Sequence, residues 1–280
     1  MNASVKHIFV GGSLRSGTSL LQKVICSSTD TNPFINGCRY LTEQLDIYAR
    51  YIGSDKLYID DYFGDTDKFR DFTKDIIDNI LTETWACTGR PDALVLKSPE
   101  MSFYIPHLAD LLPGAKFVLS VREPKDTITS MIKVGERQRK DGLTTNLTRI
   151  GRNIDALCTM FNNYYIPTLK NLEVKSLNLK NRVLFVKYED LVSRPDETHA
   201  KVSRFCGISV GRLPESGDWR VSKNTEKISR HVKWRTYVSD LSSKPISKDR
   251  IGAFRSVLTT AECATVDDRC RSIRKTFDYP

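Results

Sequence analysis

Four short polar clusters hold the residues of this chain that could do chemistry, and each follows an apolar run. The first is Gly11-Gly12-Ser13-Leu14-Arg15-Ser16-Gly17-Thr18-Ser19, which follows Val5 to Val10. Three glycines, one basic residue and four hydroxyls lead into an apolar, helix-compatible segment with Leu20, Leu21, Val24 and Ile25. That order reads as strand, loop, helix. Backbone N–H groups converge at a helix start, where the helix dipole favours negative charge. The loop is therefore expected to cradle a phosphate or sulfate. The other three clusters are Lys97-Ser98-Pro99, Arg122-Glu123-Pro124 and Tyr188-Glu189-Asp190. They supply the cations, carboxylates and phenol that a transfer of an anionic group needs.

Gly12-x4-Gly17-Thr18-Ser19 has the spacing of the loop that binds nucleoside triphosphates, but Thr18 stands where that loop requires lysine. A kinase or nucleoside triphosphatase uses the lysine on the terminal phosphates and the next hydroxyl on magnesium. Here the basic residue comes earlier, at Arg15. A nucleotide kinase or triphosphatase is thus the second reading, and a smaller phosphate-bearing group is the expected ligand.

To position these clusters the chain must alternate strands and helices. The apolar runs Val5 to Val10, Ala93 to Leu96, Lys116 to Val121 and Arg182 to Tyr188 read as buried parallel strands. Helices are expected over 18–27, 41–51, 69–85, 102–112, 124–138, 153–169, 195–206, 248–258 and 261–273. Loops are expected over 53–71 and 141–151. The pattern implies an α/β fold, a three-layer parallel sheet flanked by helices, with ligands at the carboxyl ends of the strands. No repeat or low-complexity linker divides the chain, so residues 1–280 are expected to form one domain.

Composition narrows the partners. Of 280 residues, 40% are apolar and 28% charged, as in ordinary globular proteins. The net charge of +9 suits either a generally basic surface or a polyanionic ligand such as a nucleotide. No zinc-finger spacing, aromatic-basic run or basic tail points to nucleic acid. The seven cysteines fit neither a zinc site nor a disulfide framework, and most are expected to be buried thiols in a reducing compartment. No stretch approaches the ~20 apolar residues of a membrane span, and the run from Ile8 to Val10 is too short for a secretory leader. A soluble, cytoplasmic protein without membrane contact is expected.

The segment from Gly53 to Asp71 is unusual for a basic chain. It interleaves Asp55, Asp60, Asp61, Asp65, Asp67 and Asp71 with Tyr58, Tyr62 and Phe63. Two readings stay open. It is either a solvated surface loop or one wall of an acceptor pocket, holding a cationic molecule through carboxylates and aromatic faces.

Leu14-Arg15-Ser16-Gly17-Thr18-Ser19-Leu20 resembles the loop of the sulfotransferase family, although that family often places proline where Leu14 stands. A second element is similar too: the strand Phe117 to Val121, then Arg122, then Ser130 eight residues later on a helix. Lys97-Ser98-Pro99 and Val186-Lys187-Tyr188-Glu189-Asp190-Leu191 resemble two further family blocks. The likeness spans roughly residues 7 to 207. It implies transfer of a sulfuryl group from 3′-phosphoadenosine 5′-phosphosulfate (PAPS) to a hydroxyl or amine, with PAP as product and no metal. Arg15, Ser16, Gly17, Thr18 and Ser19 would hold the 5′-phosphosulfate, and Arg122 and Ser130 the 3′-phosphate. Tyr188 would also touch the cofactor. Lys233, in a Lys233-Trp234 pair, resembles a late cofactor contact of protein-tyrosine sulfotransferases. Lys97 would stabilise charge on the bridging oxygen.

The resemblance leaves the base open. Many members use histidine two positions after the lysine, and this chain has Pro99 there. Glu43 lies in the region where other members place a glutamate, and Glu100 is the second choice. A small-molecule acceptor is expected. Asp60, Asp61 and Glu100 would face it if it is cationic, as a guanidinium alkaloid of the saxitoxin type is. Protein tyrosine is the alternative acceptor.

Overall fold

A computed structural model of the chain describes residues 5–54, 56–210, 219–229 and 246–280. In chain order its elements begin with β1 (Lys6–Gly12), α1 (Thr18–Ile25), α2 (Arg39–Ser54), α3 (Lys56–Phe63) and α4 (Thr66–Cys87). Next come β2 (Ala93–Lys97), a 3-10 turn (Pro99–Tyr104), α5 (Ile105–Leu111), β3 (Lys116–Val121) and α6 (Pro124–Lys140). Then follow α7 (Asn146–Ile150), α8 (Ile154–Asn163), α9 (Ile166–Asn171), α10 (Leu179–Arg182), β4 (Val183–Lys187), α11 (Tyr188–Ser193) and α12 (Pro195–Cys206). The described chain closes with α13 (Lys223–Ser229), a 3-10 turn (Ala253–Ser256), α14 (Thr260–Arg269) and α15 (Arg271–Thr276).

The four strands form one parallel sheet in the order β2-β1-β3-β4. The middle strands are apolar on both faces because helices cover both. Phe9, Leu94, Leu96, Phe117 and Leu119 point into a core shared with Leu41 and Leu45 of α2, Ile77 and Leu81 of α4, and Leu108 of α5. The alternate residues Ile8, Val10, Val95, Val118 and Val186 pack on Leu21, Val24 and Ile25 of α1 and Val202 of α12. A third cluster joins α6, α8, α14 and α15 through Met131, Leu157, Phe161, Val266 and Ile273. The result is the expected three-layer α/β architecture.

The order reverses between β1 and β3, since β1 neighbours β2 on one side and β3 on the other. Ligands of such sheets bind in the crevice at that reversal, outside the carboxyl ends of the strands. Gly12 is paired in register with Ser120, so the loop after β1 and Arg122 after β3 start side by side.

Several expected elements differ. The acidic segment expected as a loop is largely helical: Ile59 and Phe63 of α3, four residues apart, turn inward, while Tyr58, Asp60, Asp61 and Tyr62 stay exposed. Asp65 then caps α4 by accepting from Lys68 N at 2.8 Å. Residues 141–151, also expected as a loop, hold α7, begun by a capping box between Thr145 and Thr148. The helix expected over 153–169 breaks before Pro167, which opens α9. The helix expected over 102–112 starts at Ile105, after a 3-10 turn. No α-helix forms over 248–258, where a 3-10 turn stands at Ala253–Ser256. There the buried Asp126 carboxylate accepts Gly252 N at 2.7 Å and Phe254 N at 3.0 Å, which holds the backbone in turns. Among the described residues no helix is long and apolar enough to cross a membrane.

Candidate active site

The loop after β1 folds under tight steric rules. Gly12 has φ +125°, and a Cβ there would lie 2.3 Å from the Ser120 carbonyl oxygen. Gly17, the N-cap of α1, has φ +102° and would bring a Cβ within 2.7 Å of the Tyr188 ring. Both positions therefore need glycine. Arg15 also takes a left-handed conformation, with φ +68°. Ser16 turns back on the loop, its N and Oγ both donating to the Ser13 carbonyl at 3.1 and 2.7 Å. The amides of Thr18 and Ser19 open α1 and have no acceptor within the helix. No acidic residue stands in that first turn to neutralise its positive end.

Arg122 comes to this loop from β3. Its guanidinium is buried, with Nη1 donating to the Arg15 carbonyl at 3.4 Å and Nη2 donating to the Arg250 carbonyl. It lies 4.5 Å over the Tyr188 ring and 3.8 Å from Asp126. Arg122 Nε is buried without a hydrogen-bond partner among the described residues, as is the Thr129 hydroxyl beside Ser130. A buried guanidinium donor left open in this way suits an anion. Arg15 Nε donates to Ser130 Oγ at 3.2 Å. The structure thus brings together Arg15, Ser16, Gly17, Thr18, Arg122, Ser130 and Tyr188, with Ser19 exposed on the first turn of α1.

Lys97 ends β2 on the other side of β1, partly buried. Burial holds its ammonium below the usual lysine range, and the Arg15 charge lowers it further, while Cys38 and Glu100 pull it back up. Its carbonyl accepts from Cys38 N at 3.0 Å, which ties the start of α2 to the end of β2. Glu43 is one turn along α2, exposed, with its carboxylate on Arg39 at 2.7 Å. Glu100 accepts from Ser98 Oγ at 2.6 Å and faces solvent. Asp60 and Asp61 are exposed on α3, whose main contacts are with α2 and α4 and not with the strand ends. Lys233 lies outside the described residues.

Several further residues, not marked by any sequence motif, shape this site. Ser102 Oγ accepts from Gly12 N at 2.6 Å, Ser120 Oγ donates to the Ser16 carbonyl at 2.6 Å, and the Tyr165 hydroxyl bonds to Ser13 N. Their signal was a hydroxyl at a position where a strand or helix face is otherwise apolar. Asp126 was invisible for a different reason: its partners, Gly252 and Phe254, lie more than 120 residues away. Lys23 of α1 lies over the rings of Phe34 and Trp219 at 5.5 and 5.4 Å, and burial pushes its pKa down to about 8.

A strand-loop-helix cradle beside a buried arginine, at the reversal point of a parallel sheet, is an arrangement suited to an anionic ligand. The model of the sulfotransferase family matches residues 7–212, and the chain belongs to that family. It is a transferase of sulfuryl groups. A Caenorhabditis briggsae protein that carries the name of a protein-tyrosine sulfotransferase is 24% identical over 265 residues, 90% of this chain and 88% of that protein. Protein-tyrosine sulfotransferase 1 of Danio rerio is 25% identical over 217 residues, 74% of this chain, and the match spans only 54% of that relative's length. Among solved structures, the sulfotransferase domain of the Synechococcus PCC 7002 olefin synthase superposes with a TM-score of 0.56 at 17% identity. That likeness covers 100% of this chain and 96% of that one.

Proposed function

We propose that the chain, acting as one domain in the cytoplasm, transfers a sulfuryl group from PAPS to a hydroxyl or amine of a small acceptor. The observation that carries the donor is the pair of anion sites. One is the start of α1; the other is Arg122, with its unpartnered Nε, and Ser130 next to it. Two such sites, joined through Arg15, suit a nucleotide with phosphates at both its 5′ and 3′ positions. Inorganic phosphate or a single 5′-phosphate would leave one of them unused.

When bound, PAPS supplies the activated sulfuryl group. Arg15 and the amides of Gly17 to Ser19 hold the 5′ end, with Ser16 shaping the loop through its own bonds to the Ser13 carbonyl, and Arg122 and Ser130 hold the 3′-phosphate beside the Tyr188 ring. Lys97, kept within electrostatic reach of Arg15, places a cation where negative charge grows on the departing oxygen. Glu43 takes the acceptor proton, with Glu100 as the second choice. Either carboxylate must turn from its present partner, Arg39 or Ser98, to do so. Alignment of acceptor and sulfuryl group supplies much of the remaining acceleration. No metal is needed in this scheme.

The acidic, aromatic exposure of α3 favours a cationic acceptor, with Asp60 and Asp61 as its first contacts. A tyrosine in a protein is the second reading, favoured by the names of the sequence relatives. Initial rates with tyramine, tyrosol and 4-hydroxyphenylacetate separate the charge preference, because these phenols differ mainly in the charge of the side chain. The expected order is tyramine first and 4-hydroxyphenylacetate last, with the tyramine KM rising about threefold in Asp60→Asn/Asp61→Asn at low salt. Equal rates for the three phenols, or an unchanged KM in the variant, contradict the cationic reading. Turnover of a tyrosine peptide alone supports the second one.

A further inference from the structure

Five hydroxyl side chains lie beneath the anion cradle: Ser13, Ser16, Ser102, Ser120 and Tyr165, none more than 1% exposed. Tyr165 is central among them. It sits between α8 and α9, its ring 5.2 Å from that of Phe161 and 6.1 Å from that of Phe277. Its hydroxyl accepts from Ser13 N at 3.1 Å and donates to the Ser120 carbonyl at 2.9 Å. One phenol oxygen therefore bridges the start of the loop after β1 and the end of β3, two residues before Arg122. The Ser120 side chain extends the bridge by donating to the Ser16 carbonyl.

A phenylalanine would fill the same space in this core, and a buried phenol costs free energy unless it is paired. The hydroxyl must therefore be explained by its bonds. Those to Ser13 N and the Ser120 carbonyl go to backbone groups of the segments that carry the anion sites, and the Ser16 side chain of the same loop is a further partner. The Ser120 carbonyl is also the atom that excludes any side chain at Gly12. The phenol thus acts where the two segments approach most closely. Burial holds the Tyr165 hydroxyl far above the usual tyrosine range, so it stays a donor at every physiological pH.

We propose that Tyr165 is a positioning residue: its hydroxyl sets the distance and orientation between the loop of Ser13 to Ser19 and the strand end that carries Arg122, so that both anion sites fit one nucleotide. The inference rests on the reading of those sites as a PAPS clamp. It adds a residue from the third core cluster, more than 40 positions from either segment, as the part that keeps the clamp in register.

Tyr165→Phe keeps the ring and removes the bridge, and Ser120→Ala removes its extension. Phe161→Leu damages the same core without touching a hydroxyl and serves as the control. Two readouts apply: calorimetric affinity for PAP, and amide hydrogen exchange in the ligand-free proteins. The expected result for Tyr165→Phe is about a tenfold loss of PAP affinity. Exchange at residues 12–17 should rise about tenfold, with exchange in β2 unchanged. Ser120→Ala should shift both in the same direction, and reports on the same bridge if Tyr165→Phe does not fold. Phe161→Leu should lower the melting temperature and leave PAP affinity within twofold. Wild-type loop exchange and affinity in Tyr165→Phe, or an equal loss of affinity in Phe161→Leu, would overturn the proposal. If the wild type does not bind PAP, the clamp reading fails. Exchange at residues 12–17 then still decides whether the hydroxyl orders the loop.

Discussion

Arg15 and Ser130, 115 positions apart in the chain, share a hydrogen bond of 3.2 Å from Nε to Oγ. The first belongs to the loop at the start of α1 and the second to the second turn of α6. Their contact joins the two anion sites into one continuous surface. It follows from sheet order, since β1 and β3 are neighbours and their carboxyl ends deliver both residues to the same crevice.

Arg122 anchors one end of that surface. Arg122→Ala should weaken PAP binding by at least about tenfold, the scale of losing charge-assisted hydrogen bonds. Arg122→Lys should recover only part of it, because a point charge cannot reproduce the planar fork. Calorimetry on both variants checks this. Unchanged affinity in Arg122→Ala would remove the 3′-phosphate assignment.

Lys97 sets an alkaline limit. Its pKa lies below the usual lysine value, chiefly through burial, so the cation is lost as pH rises through that lowered value. The rate should fall on the alkaline side earlier than for an exposed lysine. Lys97→Arg, always charged, should abolish that fall even if the plateau drops, and Lys97→Ala should lose about a hundredfold in kcat. A pH–rate profile unchanged in Lys97→Arg would assign the limb to another group.

The two carboxylates can be separated by substitution. Glu43→Gln should lower kcat by about a hundredfold or more while PAP affinity stays within twofold, as for a general base outside the cofactor contacts. Glu100→Gln should change kcat less than tenfold. The reverse order in single-turnover rates would make Glu100 the base.

How much of this was legible follows from the range of the signals. The strands and the loop between β1 and α1 were readable because an apolar run, paired glycines and hydroxyls sit within 15 residues. Arg122 and Ser130 were readable as a pair because they sit eight positions apart in one chain segment. The bridge through Tyr165 was not, since its partners Ser13 and Ser120 are 152 and 45 positions away and a buried tyrosine looks like any core aromatic. The helix α3 was hidden by its aspartates. Among the described side chains of α3, Ile59 and Phe63 are the ones that turn to the core, too few for an apolar pattern to stand out. The turns at 248–258 were hidden for the same reason as Asp126, because a carboxylate on α6 sets their backbone.

The central claim is that this surface binds a nucleotide phosphorylated at both ends, without help from a metal. The most direct measurement is the shift in melting temperature of the wild type with PAP, ATP or 5′-AMP, each with magnesium and with EDTA. Ligand at a hundred times its Kd stabilises by about 2.7 kcal/mol, enough for a shift of several degrees. The expected result is a shift with PAP that is equal in magnesium and EDTA, with little or none from 5′-AMP. A magnesium-dependent shift with ATP and none with PAP would contradict the claim.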